Sequence, residues 1–143
     1  MSLVQMPVDA SHLKQRITEV SDAKAELKRL TFEPYAELSL DEKYAVRYHV
    51  IVLAEALGSM CLHIAREDLK QEPLSYSECF RLLDEEGICD CAKDLTAIVR
   101  LRNLLTHRYW AIDDEQVYNS VKNNFKSVDK FVERVKEKYA VDL

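Results

Sequence analysis

Apolar residues recur along the chain at alternating spacings of three and four, the repeat that lines one face of a helix. From about Asp9 to Leu30 they fall at Leu13, Ile17, Val20, Ala23, Leu27 and Leu30, which predicts a first helix. Pro34 stops any continuation, because its ring clashes with the turn before it. Ser39 with Glu42 forms a capping-box pattern, in which each side chain accepts the other residue's free backbone N–H. A long second helix is predicted from there to about Leu69, on a seam of Val46, Val50, Leu53, Leu57, Met60 and Ile64. Gly58 lies inside that helix, away from both ends, and marks a close helix–helix approach in preference to a kink.

Ser75 and Glu78 repeat the capping pattern after Pro73, ahead of Tyr76, Cys79, Phe80 and Leu83 on one face. Gly87 suits the left-handed position just past this short third helix, which reads as a lid or brace between longer ones. A fourth helix is predicted to begin near Cys89–Asp90 and to carry Cys91, Leu95 and Ile98 on its seam. A fifth begins at Asp113, with Val117, Val121, Phe125, Val128, Val132, Val135 and Tyr139 toward the core. Lys122, Lys126, Lys130, Arg134 and Lys138 follow at intervals of four on its outer side and read as a solvated face. The expected fold is all-α: an up-and-down bundle of four main helices plus one short helix, as a single domain over residues 1–143.

Composition narrows the function classes. The 2 Gly in 143 residues leave no Gly-rich phosphate loop and no supply of tight hairpin turns. A net charge of −5 argues against a surface that coats nucleic acid as a whole, so contact with a polyanion needs a local basic site. No leader is read in MSLVQMPVDASHLKQR, and no apolar run approaches the roughly 18–20 residues of a membrane span, so no membrane is expected. Cys61, Cys79, Cys89 and Cys91 lack the spacing of zinc or redox motifs and read as free, partly buried thiols in a reducing cytoplasm. His12 reads as exposed, and His49 and His63 as surface or interhelical hydrogen-bonding residues. Tyr44 and Tyr48 read as core packing, with a stacking or dimer patch as the alternative. No cofactor and no metal-ligand set are expected.

The pattern breaks near the end of the fourth helix. Continued from Leu95, its seam runs through Ile98, Arg102, Leu105 and Tyr109, so a guanidinium stands where an aliphatic residue belongs. Burying it unpartnered is costly, so Arg102 either has an acidic partner inside or faces a cleft. Around it, Arg100, Arg102, Arg108, His107, Tyr109 and the sole Trp, Trp110, crowd into eleven residues. On a continuing helix, Arg102 and Tyr109 share a face, and Asn103 stacks with His107. Arg102 and His107 would point roughly 140° apart on such a helix. They converge on one ligand only if the helix ends or bends here, or if two copies meet across a dimer axis. Plain core packing of Tyr109 on Trp110 is the alternative to a functional role.

The stretch RNLLTHRYW resembles the R-x4-H-x-Y motif of the HEPN superfamily, in particular the HepT-type toxins paired with a minimal nucleotidyltransferase antitoxin, MntA. The order of elements is similar as well. A long helix like DEKYAVRYHVIVLAEALGSMCLHIA, a short YSECFRLLDEEGI helix, LRNLLTHRYWAIDDEQVY and a C-terminal helix cover roughly Asp9 to Tyr139. Thr106 and Arg108 depart from the frequent aliphatic-His-acidic arrangement and leave the motif intact. The resemblance implies a metal-independent endoribonuclease toxin of a type VII-like toxin–antitoxin pair, with a composite site at a homodimer interface. It implies Arg102 and His107 as the catalytic pair and Asn103 as a supporting polar residue. Tyr109 then matches the tyrosine that the antitoxin modifies with AMP to silence the toxin.

These residue types suit that chemistry on their own terms. Histidine moves protons near neutral pH, and the planar fork of arginine holds a phosphate and stabilises charge added to its oxygens. The RNA 2′-hydroxyl supplies the nucleophile, and Arg100 and Arg108 add positive charge beside the site. AMP on Tyr109 would fill that site and neutralise Arg102. Two other readings stay open. One is a non-catalytic substrate-binding or regulatory subunit of a minimal nucleotidyltransferase, and the other a plain dimeric bundle with a structural Arg102.

Overall fold

Asp9 opens the first helix by accepting the backbone N–H groups of Ser11 at 2.9 Å and His12 at 3.3 Å. The computed structural model describes residues 8–142, with backbone alone at Asn124 and Phe125. The N-terminal leader reading falls in part on residues 1–7, and the Phe125 core position on an undescribed side chain, so both lie outside the described residues. Five helices follow: α1 (Ala10–Leu30), α2 (Leu40–Glu67), α3 (Tyr76–Glu85), α4 (Ala92–His107) and α5 (Asp114–Tyr139). Single 3-10 turns stand at Tyr35–Glu37 and Tyr109–Ala111, and no strand occurs among the described residues. The fold is all-α, with four longer helices and one short one. Central α2 packs against each of the other four.

The predicted seams of α1 and α2 are buried at every named position. By length and composition α2 also passes for a membrane span. Its central place explains that apolarity, since a helix touched on several sides is apolar on several sides. The Ser39–Glu42 capping box forms in full, at 3.1 and 2.9 Å. At α3 the pattern shifts by one residue. Ser75 Oγ accepts the Glu78 N–H, but the Glu78 carboxylate accepts the N–H of Leu74 at 3.1 Å. Gly87 takes the left-handed conformation expected of it, at φ +74°.

One boundary and several packing assignments differ from the sequence expectation. Helix α4 starts at Ala92 because residues 88–91 are held in local bonds. The N–H groups of Ile88 and Cys89 both close onto the Leu83 carbonyl, and that of Cys91 onto Cys89 Sγ. On α5, Phe131 takes the core position expected of Val132, meeting Phe80 edge-on at 6.1 Å, and Tyr118 is buried beside Val117. The apolar stripe is therefore wider than a strict heptad seam. Lys122, Lys126, Lys130 and Lys138 are solvated, whereas Arg134 turns back to Asp90 and the Gly87 carbonyl, both at 3.0 Å. Tyr44 and Tyr48 are not core: they are 50% and 62% exposed. All four cysteines are free and buried, with 3.3 Å between Cys89 Sγ and Cys91 Sγ.

His12 is not exposed either. Its ring stacks on His63 at 4.4 Å, and His63 Nε2 accepts the Asp9 N–H at 2.9 Å, which ties the start of α1 to α2. Burial first, and then the facing His12, hold the His63 imidazole below its ordinary value, against the opposing pull of Glu67 and Asp9. The unfolded chain therefore takes up this proton more readily, and stability falls as pH drops below about 6.5. His63→Gln keeps a hydrogen-bond acceptor and removes the titration. We expect the melting temperature of the parent to fall more between pH 7.5 and 5.5 than that of the variant. Parallel curves would show that His63 does not carry this dependence.

Candidate active site

Helix α4 brings Arg102 to the surface facing α2, where it has both an acidic partner, supplied by α2, and a groove in front of it. Arg102 Nε and Nη2 both meet Glu55 Oε1. Its Nη1 donates to Asn103 Oδ1, and its guanidinium lies over the Tyr76 ring, 5.6 Å from the centroid. The Tyr76 hydroxyl donates to Glu55 Oε2 at 3.2 Å, which closes a small network across α2, α3 and α4. Burial, followed by the Glu55 carboxylate, raises the Tyr76 phenol above its ordinary range. It therefore stays a hydrogen-bond donor at physiological pH.

Gly58 makes this network possible. A Cβ there would stand 2.4 Å from Tyr76 Cε2, inside any permitted contact. The close approach read from the sequence is thus real, and what approaches is the Tyr76 ring. The Arg102–Glu55 pair is partly solvated, with the side chains 21% and 43% exposed, so it orients the guanidinium more than it stabilises the fold. Arg102 and Asn103 line an open groove of about 340 Å³ together with Arg66, Tyr76, Ser75 and Ser77.

The helix ends at His107, and Arg108 leaves helical geometry at φ −138° and ψ 44°. Tyr109 therefore does not continue the α4 seam, and its seven-residue spacing from Arg102 no longer places the two on one face. It begins the 3-10 turn, meets Trp110 edge-on at 5.4 Å, and stands 66% exposed. Trp110 is 69% exposed, so core packing is not their role. Asn103 also differs from expectation: it is bonded to Arg102 and not to His107. His107 and Arg108 are exposed, and the His107 side chain has no hydrogen-bond partner among the described residues. Arg100 faces a neighbouring groove between α3 and α4. Arg47 fixes the start of α5 through a two-pronged pair with Asp114, at 2.7 and 2.8 Å, just past the Tyr109 turn.

Sequence reasoning missed Glu55 and Tyr76. Glu55 left a signal, as a carboxylate between Ala54 and Ala56 beside the apolar seam of α2. Tyr76 left none, since an aromatic residue at the start of an amphipathic helix reads as core.

A family model described as ribonuclease HepT-like matches residues 15–135. No curated protein sequence matches the chain. Among solved structures, YutE of Bacillus subtilis, a cytosolic protein of unknown function, superposes with a TM-score of 0.81. It is 17% identical, over 92% of this chain and 90% of that one. A toxin–antitoxin crystal structure with AMP-PNP gives 0.80 at 17% identity, over 89% of this chain and 98% of that one. A tri-AMPylated HEPN toxin of Shewanella oneidensis, in complex with its MNT antitoxin, gives 0.80 at 18%, over 88% and 97%. At these identities the structures show a shared fold, while the family model spans α2 to α4 whole, with Arg102, His107 and Tyr109 inside it. The chain belongs to the HepT-like ribonuclease family.

Proposed function

We propose that this protein is a metal-independent endoribonuclease toxin, held silent by AMPylation of Tyr109 by a partner nucleotidyltransferase antitoxin. The observation that carries the reading is the contrast between two side chains of α4. Arg102 is pre-oriented by Glu55, Asn103 and Tyr76 at an open groove, while His107 stands uncommitted and solvated at the last helical position. In cleavage, the RNA 2′-oxygen bonds to the adjacent phosphorus as the bond to the 5′-oxygen breaks. One proton leaves the 2′-hydroxyl and one reaches the departing oxygen. His107 is suited to carry them, and Arg102 to stabilise the charge on the phosphoryl oxygens. A homodimer would unite the Arg102 and His107 of two copies in one composite site. The exposed Tyr44, Tyr48, Tyr109 and Trp110 offer aromatic surface for such contacts. This reading places the protein in the cytoplasm.

The deciding experiment expresses the chain alone beside its His107→Ala and Arg102→Ala variants. Growth arrest and RNA cleavage by the parent only is the expected result. Equal growth and intact RNA in all three cultures would instead favour a regulatory subunit. For the silencing step, the Tyr109 phenol oxygen attacks the α-phosphorus of ATP and pyrophosphate leaves. Its exposure makes that attack sterically open. After incubation with antitoxin and ATP, intact-mass measurement should show adenylyl additions on the parent and none on Tyr109→Phe. Additions that persist in the variant would place the modification on another residue.

A further inference from the structure

A second groove, of about 510 Å³, runs between α3 and α4 beside the Arg102 groove, and Ser75 and Ser77 line both. Its walls carry Arg81, Lys93 and Arg100, together with Ser77, Thr96 and one carboxylate, Glu78. That carboxylate is engaged by the Leu74 N–H. Elsewhere eight basic residues are paired: Arg16, Lys24, Arg29, Arg47, Arg66, Arg102, Arg134 and Lys136 each meet an acid. Arg81, Lys93 and Arg100 are exposed and meet no acid among the described residues. In a chain of net charge −5, three uncommitted cations on one groove form the local basic site that the overall charge does not supply. The more regular lysine row on α5 makes no such site. The groove there mixes Lys126, Lys130 and Arg134 with Asp90, Asp129, Glu133 and Glu137.

We propose that the α3–α4 groove is the track along which single-stranded RNA enters the Arg102 site, with Arg81, Lys93 and Arg100 each contacting a backbone phosphate. Lys93 and Arg100 lie seven residues apart on one side of α4, about 10 Å along the axis, with Arg81 on the opposite wall. Cations spread over that length suit an extended polyanion and not a lone phosphate. Hydroxyls at Ser77 and Thr96 suit phosphate and ribose oxygens. At the usual interaxial distance of about 8–10 Å, a groove between two neighbouring helices is narrower than an RNA duplex. The inference rests on the ribonuclease reading, because continuity with Arg102 is what selects RNA over another polyanion.

The test measures binding of an RNA of about 16 nucleotides to His107→Ala protein by fluorescence anisotropy. Salt is varied between about 50 and 200 mM. Replacing Arg81, Lys93 and Arg100 together with glutamine should weaken binding about tenfold or more and reduce the salt slope by about 2, at about 0.7 per lost contact. Replacing Lys122, Lys126 and Lys130 with glutamine makes the same change in net charge and should alter neither. With His107 intact, the groove variant should lose kcat/KM chiefly through a raised KM. Equal binding by the two triple variants would overturn the track. So would a groove variant that binds RNA normally and loses the antitoxin, since the groove would then be a protein-docking surface. An intact protein that binds RNA through the groove and cuts none would defeat the nuclease reading and leave the track standing.

Discussion

Replacement of His107 by alanine is expected to lower RNA cleavage about 10²–10⁴-fold, the usual contribution of a positioned acid–base group. The fold should survive, because this side chain is exposed, terminal in α4 and unpartnered among the described residues. Surface changes of that kind stay within about 0.5 kcal/mol of the parent. Single-turnover cleavage and a thermal melt, run together, separate the two effects. Arg102→Lys is the companion variant. It keeps the charge but cannot reproduce the fork that meets Glu55 and Asn103, and a loss of about 10²–10³-fold is expected. A His107→Ala protein that cleaves at the parental rate would assign proton transfer to another group.

Replacement of Gly58 by valine is expected to reduce both stability and cleavage, although the residue touches no substrate. A side chain there enters the volume of the Tyr76 ring, and overpacking of this sort costs about 1–3 kcal/mol. The helix-propensity gain over glycine offsets only a few tenths of that. Displacing Tyr76 breaks its bond to Glu55 and withdraws the ring beneath Arg102. The double variant Gly58→Val, Tyr76→Ala relieves the clash, so it should regain stability relative to Gly58→Val without regaining cleavage. That split, read by melting temperature and kcat, distinguishes a positioning role from mere packing. A Gly58→Val protein as stable and as active as the parent would show that the ring does not set Arg102.

The helical seams were legible because burial follows a local rule. Leu13, Ile17, Val20, Ala23, Leu27 and Leu30 reach the core wherever α1 is placed, since the 3.6-residue period puts them on one side. Caps were legible for the same reason, as Ser39 and Glu42 satisfy backbone groups within three residues. The irregularity at Arg102 was visible too, as a charge in an apolar register that needs an acid or a cleft. Its partners were not, because Glu55 lies 47 residues away and the meeting depends on how α2 crosses α4. His12 and His63, 51 residues apart, illustrate the same limit, since nothing local announces their stacking.

The sequence by itself determined an all-helical chain, the faces its helices bury, the glycines at two demanding positions, and the motif that places it in its family. Only the tertiary structure decided what those features do together. It turned Gly58 into the seat for Tyr76, joined Glu55 to Arg102, and freed Tyr109 from the α4 seam by ending the helix at His107. It also separated Arg81, Lys93 and Arg100, which meet no acid among the described residues, from the basic residues that do. The physical reason is one of range. Backbone hydrogen bonding and apolar periodicity act within a few residues, whereas side-chain pairing and groove formation depend on segments brought together from across the chain.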